Sequence, residues 1–310
     1  MSDAYSIVGG EPPELTMPTM VVMLSGWIDA SGAAAAAMSA LETESHAKTV
    51  AVFDGDSFID YRARRPTMQL RDGVNTGLSW PDIEVKAGRD ALGRDVLLLT
   101  GPEPDMAWRR FGAEVASLAQ QLGVVRMVAL GAYPFASPHT RPSRLSMSSP
   151  SAALTESLPL LKNSVDVPAG VAAVLEHSFH EIGIDALGLW VQVPHYVASM
   201  AYPAATVALL GGLADFGEVL INGSAARQET IIQRERLDEL VAGNDEHSNM
   251  VHQLEALYDA IAASDGASTD AAADDADPSP TGSPLSASEI PTADELGAEF
   301  EQFLRDQNRD

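Results

Sequence analysis

Four stretches of the chain are apolar almost without interruption: residues 20–24 (MVVML), 95–100 (DVLLLT), 124–131 (VVRMVALG) and 186–193 (ALGLWVQV). Runs without polar alternation predict strands buried on both faces, as in a parallel sheet covered by helices. Residues 48–54 (KTVAVFD) predict another such strand. Between them, apolar positions recur at helical spacing. Trp108, Phe111, Val115, Leu118 and Leu122 predict a helix over 106–122, and Val171, Val174, Leu175 and Phe179 one over 169–182. Residues 201–216, 225–241 and 249–263 read as further helices. Residues 67–70 and 144–148 read as short strands. Residues 78–85, with Trp80 and Pro81, read as an edge strand or extended loop. This alternation predicts an α/β fold: a three-layer α/β/α sandwich with a mostly parallel mixed sheet and C-terminal helices.

The first apolar run leads into SGWIDASG and then an alanine-rich stretch with high helix propensity. Gly26 ends the strand, and Asp29 or Ser31 is placed to cap the helix. The loop falls at the carboxyl edge of a strand, where α/β sheets place ligands. It matches neither the Walker A loop nor GxGxxG, and it lacks the phosphate-binding lysine. Asp29 also puts negative charge where a phosphate would sit. The expectation is a structural turn with Trp27 and Asp29 bordering any pocket.

The organisation follows from composition. Residues 1–18 predict an irregular lead-in, 19–263 the α/β core, 264–285 an acidic Ala/Asp/Ser/Pro linker, and 286–310 a tethered amphipathic helix. In the last segment Leu296, Phe300, Phe303 and Leu304 share a helical face, and Thr292 with Glu295 makes a capping box. The formal charge is -25 over 310 residues, and residues 263–310 hold twelve acids against two arginines. That balance argues against nucleic acid and anionic membranes as partners. There is no cysteine, which excludes disulfides and thiolate chemistry. No secretory signal and no membrane-length apolar run is visible, so a cytoplasmic location is expected.

Candidate chemistry gathers on the strand-edge loops. In GDSFIDYRARRP, Asp60 stands beside Arg62, Arg64 and Arg65. These arginines suit either a carboxylate or phosphate clamp or an internal ion-pair network, and the network is the favoured reading. Glu103 and Asp105 follow the 95–100 strand, either as an acid pair or as partners of a helix dipole. His139 and Arg141 lie in a proline-punctuated loop, and His195 ends the last strand. The two histidines would form a site only if adjacent strand edges brought them together. There is no serine nucleophile elbow and no histidine spacing suited to metal, so no catalytic residue, metal or cofactor is assigned.

Several ordered segments, GWIDASGAA, Asp54 to Pro66, LLTGPEPDMAW, GAYPFASPHTRP, LWVQVPHYV and the C-terminal IPTADELGAEFEQFLRDQ, together resemble the actinobacterial branch of the proteasome assembly chaperone 2 family. The resemblance implies a phosphorylase/hydrolase-like sandwich, homo-oligomeric assembly and a proteasome-related protein partner. It supplies no catalytic residues. The chain ends in Gln307-Asn308-Arg309-Asp310 rather than the hydrophobic-Tyr-any tail that the family namesake uses for docking. The functional expectation is a non-enzymatic protein-interaction or assembly-chaperone-like role. The alternative is a small-molecule hydrolase or transferase whose strand-edge residues converge on one pocket.

Overall fold

The four apolar runs become neighbours in space. A computed structural model describes residues 4–270. Its strands are β1 (Tyr5–Ile7), β2 (Thr19–Ser25), β3 (Lys48–Phe53), β4 (Thr67–Arg71), β5 (Val74–Ser79), β6 (Glu84–Arg89), β7 (Asp95–Pro102), β8 (Arg126–Phe135), β9 (Leu145–Ser148), β10 (Leu161–Lys162) and β11 (Asp185–Pro194). Its helices are α1 (Ala33–Glu44), α2 (Gly55–Phe58), α3 (Trp108–Gln121), α4 (Ala152–Ser157), α5 (Val171–Glu181), α6 (Pro203–Phe216), α7 (Ser224–Ala242) and α8 (Asp245–Asp270).

Nine strands form one sheet in the order β1-β3-β6-β7-β2-β8-β11-β9-β10. The central β7, β2, β8 and β11 are parallel. Antiparallel pairs flank them on both sides. Burial follows the sequence closely: Leu97, Leu98 and Leu99 are consecutive and fully buried, one face against each helical layer.

One layer packs α1 and α6 over Val21, Leu98 and Val128; the other packs α3 and α5 over Met20, Leu97 and Leu99. Small residues on α1 allow a close approach. Ala33, Ala34 and Ala37 are buried there, and the Thr206 hydroxyl of α6 donates to the Ala33 carbonyl at 3.4 Å. Each large aliphatic side chain buried here contributes about 1.5–3 kcal/mol.

Two parts of the sheet carry no strong pattern in the sequence. The lead-in contributes β1, an edge strand held by backbone pairing to β3. The stretch around Trp80 separates β5 from β6, and β6 is a mixed-polarity strand between β3 and β7. Strands of this kind are specified by backbone pairing and tertiary context more than by periodicity. The β4–β5 hairpin forms its own two-stranded sheet. Among the described residues no helix is long and apolar enough to cross a membrane. The expected linker from residue 271 onward and the expected amphipathic helix over 286–310 lie outside the described residues.

Candidate functional site

The carboxyl ends of β2, β7, β8 and β11 share one edge of the sheet. The candidate residues sit on the loops that leave it. The helices α1, α3, α5 and α6 all begin at this edge, and the N-termini of α1 in one layer and α5 in the other border the candidate residues Asp29 and Glu103. Unpaired amides at helix N-termini are ready-made anion sites, and these two are occupied by the protein's own carboxylates. Asp29 accepts from the backbone N–H of Ala34 at 2.9 Å and of Ala35 at 3.0 Å. Burial raises its pKa, and these two hydrogen bonds oppose the rise. Glu103, itself buried, accepts from the N–H of Val171, the first residue of α5. The expected turn at Asp29 is thus a helix cap, and a phosphate would have to displace a carboxylate at either end.

Trp27 lies across the α5 entrance. A Cβ at Gly170 would stand 2.8 Å from the indole Cδ1, so only glycine admits the ring there. The indole remains about half exposed.

The arginine-rich segment is tied to the loop after β7. Asp105 accepts from Arg64 Nε at 3.1 Å and from the Asp60 backbone N–H at 3.0 Å. The Asp60 carboxylate turns inward to accept from the Arg62 backbone N–H at 2.9 Å. Phe58 anchors the segment in the core. Arg64 also passes close to Gly26, where a Cβ would meet its Nη2 at 2.8 Å. Arg62 and Arg65 are exposed. An open cleft of about 520 Å³ borders Arg64, Met23, Met38, Glu42, Asp82 and Gly101. Of the eleven candidate residues, Arg64 alone lines it, and its charge already faces Asp105.

His139 and Arg141 belong to a second locus. His139 Nδ1 and the Tyr196 hydroxyl are 2.7 Å apart, and that oxygen also accepts from the His139 backbone N–H at 2.7 Å. The hydroxyl proton therefore points to Nδ1, and Nε2–H donates to Asp238 on α7 at 3.1 Å. Burial lowers the His139 pKa despite Asp238. Arg141 forks onto Asp259 at 2.9 and 2.8 Å and reaches Glu255 at 3.1 Å, both on α8. Tyr258 donates to the Pro142 carbonyl at 3.0 Å. These side chains clamp the C-terminal helices to the β8 loop. His195 packs perpendicular to the Tyr196 ring, ring centroids 5.4 Å apart. Burial lowers its pKa as well, partly offset by a hydrogen bond to the Phe135 carbonyl.

The strand-edge residues therefore fall into a cluster at the α1 and α5 entrances and the Arg64–Asp105 pair (Trp27, Asp29, Asp60, Arg64, Glu103, Asp105), a second around Tyr196 and the C-terminal helices (His139, Arg141, His195), and two exposed arginines, Arg62 and Arg65. They do not meet in one pocket. Among the described residues, no group of three or more His, Asp or Glu side chains is placed to hold a metal ion.

A family model described as the PAC2 family matches residues 23–241. The chain belongs to the PAC2 family. Its α/β architecture recurs in solved structures of actinobacterial proteins. A Mycobacterium tuberculosis protein of unknown function is 31% identical with a TM-score of 0.76, over 87% of this chain and 93% of that one. A Streptomyces avermitilis PAC2 family protein is 33% identical with a TM-score of 0.68, over 76% and 99%. A second M. tuberculosis protein, described as a proteasome-assembly chaperone homologue, is 32% identical with a TM-score of 0.69, over 75% and 99%. No curated protein matches the chain significantly.

For this PAC2 chain the sequence reading passed over three polar residues with structural weight. Tyr196 adjoins the singled-out His195, and Asp238 lies on the charged helix α7. Glu176 sits on α5, buried against Gly188 and accepting from the Ser148 hydroxyl at 2.9 Å. Its signal was available: an acid lying between the apolar positions Leu175 and Phe179 of a helix that must face a sheet.

Proposed function

We propose that this PAC2 protein is a non-enzymatic, assembly-chaperone-like protein that docks protein partners across the carboxyl edge of its sheet. The observation that carries this reading is the character of that edge. The loops leaving it expose Trp27, Ile28, Met106 and Phe135, and the connection rising to Gly170 exposes Val165 and Val167. The N-termini of α1 and α5, beside Trp27, are capped by the protein's own Asp29 and Glu103. Exposed large apolar side chains grouped on one edge mark protein contact surfaces, and tryptophan is the side chain most enriched among their energetic centres. The relative described as a proteasome-assembly chaperone homologue supports proteasome subunits as the partner class. Self-association into a homo-oligomer and residence in the cytoplasm belong to the same reading.

The test is binding of the full chain to isolated proteasome α-subunits from an actinobacterium, followed by sedimentation velocity. Wild type is expected to bind. The combined Trp27→Ser, Val167→Ser variant is expected to bind at least about 30-fold more weakly, the loss of about 2 kcal/mol that a tryptophan centre carries. Absence of wild-type binding would reject the proteasome partner, and equal binding by the variant would reject this surface.

A further inference from the structure

The β4–β5 hairpin is a surface feature that the reading above does not use. Every residue of its two strands except Gly77 is exposed. Met68 (52% exposed) faces Leu78 (46%) across the ladder, and Leu70 (51%) lies two residues along on the same face. Trp80 (46%) continues that line and stands edge-on to Tyr61, ring centroids 4.7 Å apart. A lone two-stranded hairpin is marginal in water, and an exposed apolar strand face invites association. This face needs a cover.

Charge selects the cover. Residues 61–80 hold four arginines and one aspartate in a chain of net charge -25. Arg64 is paired with Asp105. Arg62, Arg65 and Arg71 are exposed, and no carboxylate among the described residues forms an ion pair with them. A second copy of the hairpin would bring like charge to like charge. The matching occupant is acidic on one side and apolar on the other. Residues 286–307 have that composition: six acids against one arginine, with Leu296, Phe300, Phe303 and Leu304 at helical spacing.

Reach permits the match. α8 is held at the carboxyl edge beside β8 through Arg141, Glu255 and Asp259. The hairpin leaves the same edge after β3, four strand positions from β8 in the sheet order, a distance of about 19 Å. The fifteen residues 271–285 span up to about 50 Å.

We propose that residues 286–307 of the same chain dock on the Met68–Leu70–Leu78 face, with their carboxylates against Arg62 and Arg65. The tail is then a built-in cover for the exposed apolar face of this hairpin. This assignment does not depend on the proteasome reading.

The chain has no cysteine, so paired cysteines report proximity cleanly. Asn75 lies opposite Leu70 on the hairpin, and Gln307 continues the apolar face of the tail. In full-length Asn75→Cys, Gln307→Cys protein under mild oxidation, a disulfide within one chain is expected. Its yield should exceed that of the control pair Ile231→Cys, Gln307→Cys by about 10-fold, because the tether raises the effective concentration only where the segment docks. Adding Phe300→Asp and Phe303→Asp should return the yield to the control level. Equal yields in test and control, links formed only between chains, or a yield insensitive to the two aspartates would each overturn the assignment.

Discussion

Replacing Gly101 by alanine should destabilise the protein by roughly 3–5 kcal/mol, the sum of backbone strain and overpacking in a closed site. Gly101 lies near the end of β7, where the strand pairs with β2 on one side and β6 precedes it on the other. Its φ is +129°, a conformation closed to ordinary L side chains. A Cβ would stand 2.3 Å from the Asp82 carbonyl oxygen and 2.9 Å from the Ile83 Cα, both backbone atoms that no rotamer change can move. The melting temperature should fall by about 10 °C or more. Gly32→Ala is the control. Gly32 also has positive φ, +66°, but nothing lies within 4 Å of its Cβ position, so its cost should stay near 1 kcal/mol. Thermal melts of the two variants that coincide would show that the approach of residues 82–83 to β7 is looser than described. The position matters beyond stability, because Glu103, which caps α5, follows two residues later.

The Glu176→Gln variant should be more stable than wild type in mild alkali and similar to it in mild acid. Burial pushes the Glu176 pKa up to about 7, and the Ser148 hydrogen bond only partly opposes this. The folded protein therefore binds the Glu176 proton more tightly than the unfolded chain does. The stability tied to that proton is fully present below the unfolded pKa near 4.5. It is lost as pH rises through about 7. At one pKa unit per 1.36 kcal/mol the loss is on the order of 3 kcal/mol. Glutamine carries no titrating proton, so the variant escapes the loss. Its melting temperature should exceed that of wild type by roughly 5–10 °C at about pH 8, and differ by no more than about 2 °C at about pH 5. A difference independent of pH would mean that Glu176 does not carry its proton in the folded state.

The parts of the fold that were legible are those where one residue class repeats. The runs in β2, β7, β8 and β11 had to be central because nothing polar interrupts them, and the structure makes them the parallel heart of the sheet. β1 and β6 were not legible. They are held by backbone ladders at or towards one side of the sheet, where side chains need no regular alternation. The candidate loops were placed at the carboxyl edge by topology alone. Their pairing could not be read, because it joins residues far apart in sequence. Glu103 meets the N–H of Val171, His139 meets Asp238, and Arg141 meets Glu255 and Asp259. Which carboxylate takes which helix end is decided by packing in three dimensions. The network around Asp60 and Arg64 follows the same rule: the adjacent aspartates were the expected partners of the arginines, but it is Asp105, on the loop after β7, that accepts from the Arg64 guanidinium and from the Asp60 backbone N–H.

The most direct measurement of the docking surface is a hydrogen-exchange footprint of the full chain with and without excess proteasome α-subunit. If the carboxyl edge is the contact face, peptides covering residues 26–29, 103–107 and 163–170 should gain protection. The β6–β7 turn at residues 90–94, which lies at the opposite edge, should exchange as before. Protection at residues 90–94 with the carboxyl-edge peptides unchanged would contradict the assignment of the carboxyl edge as the docking face.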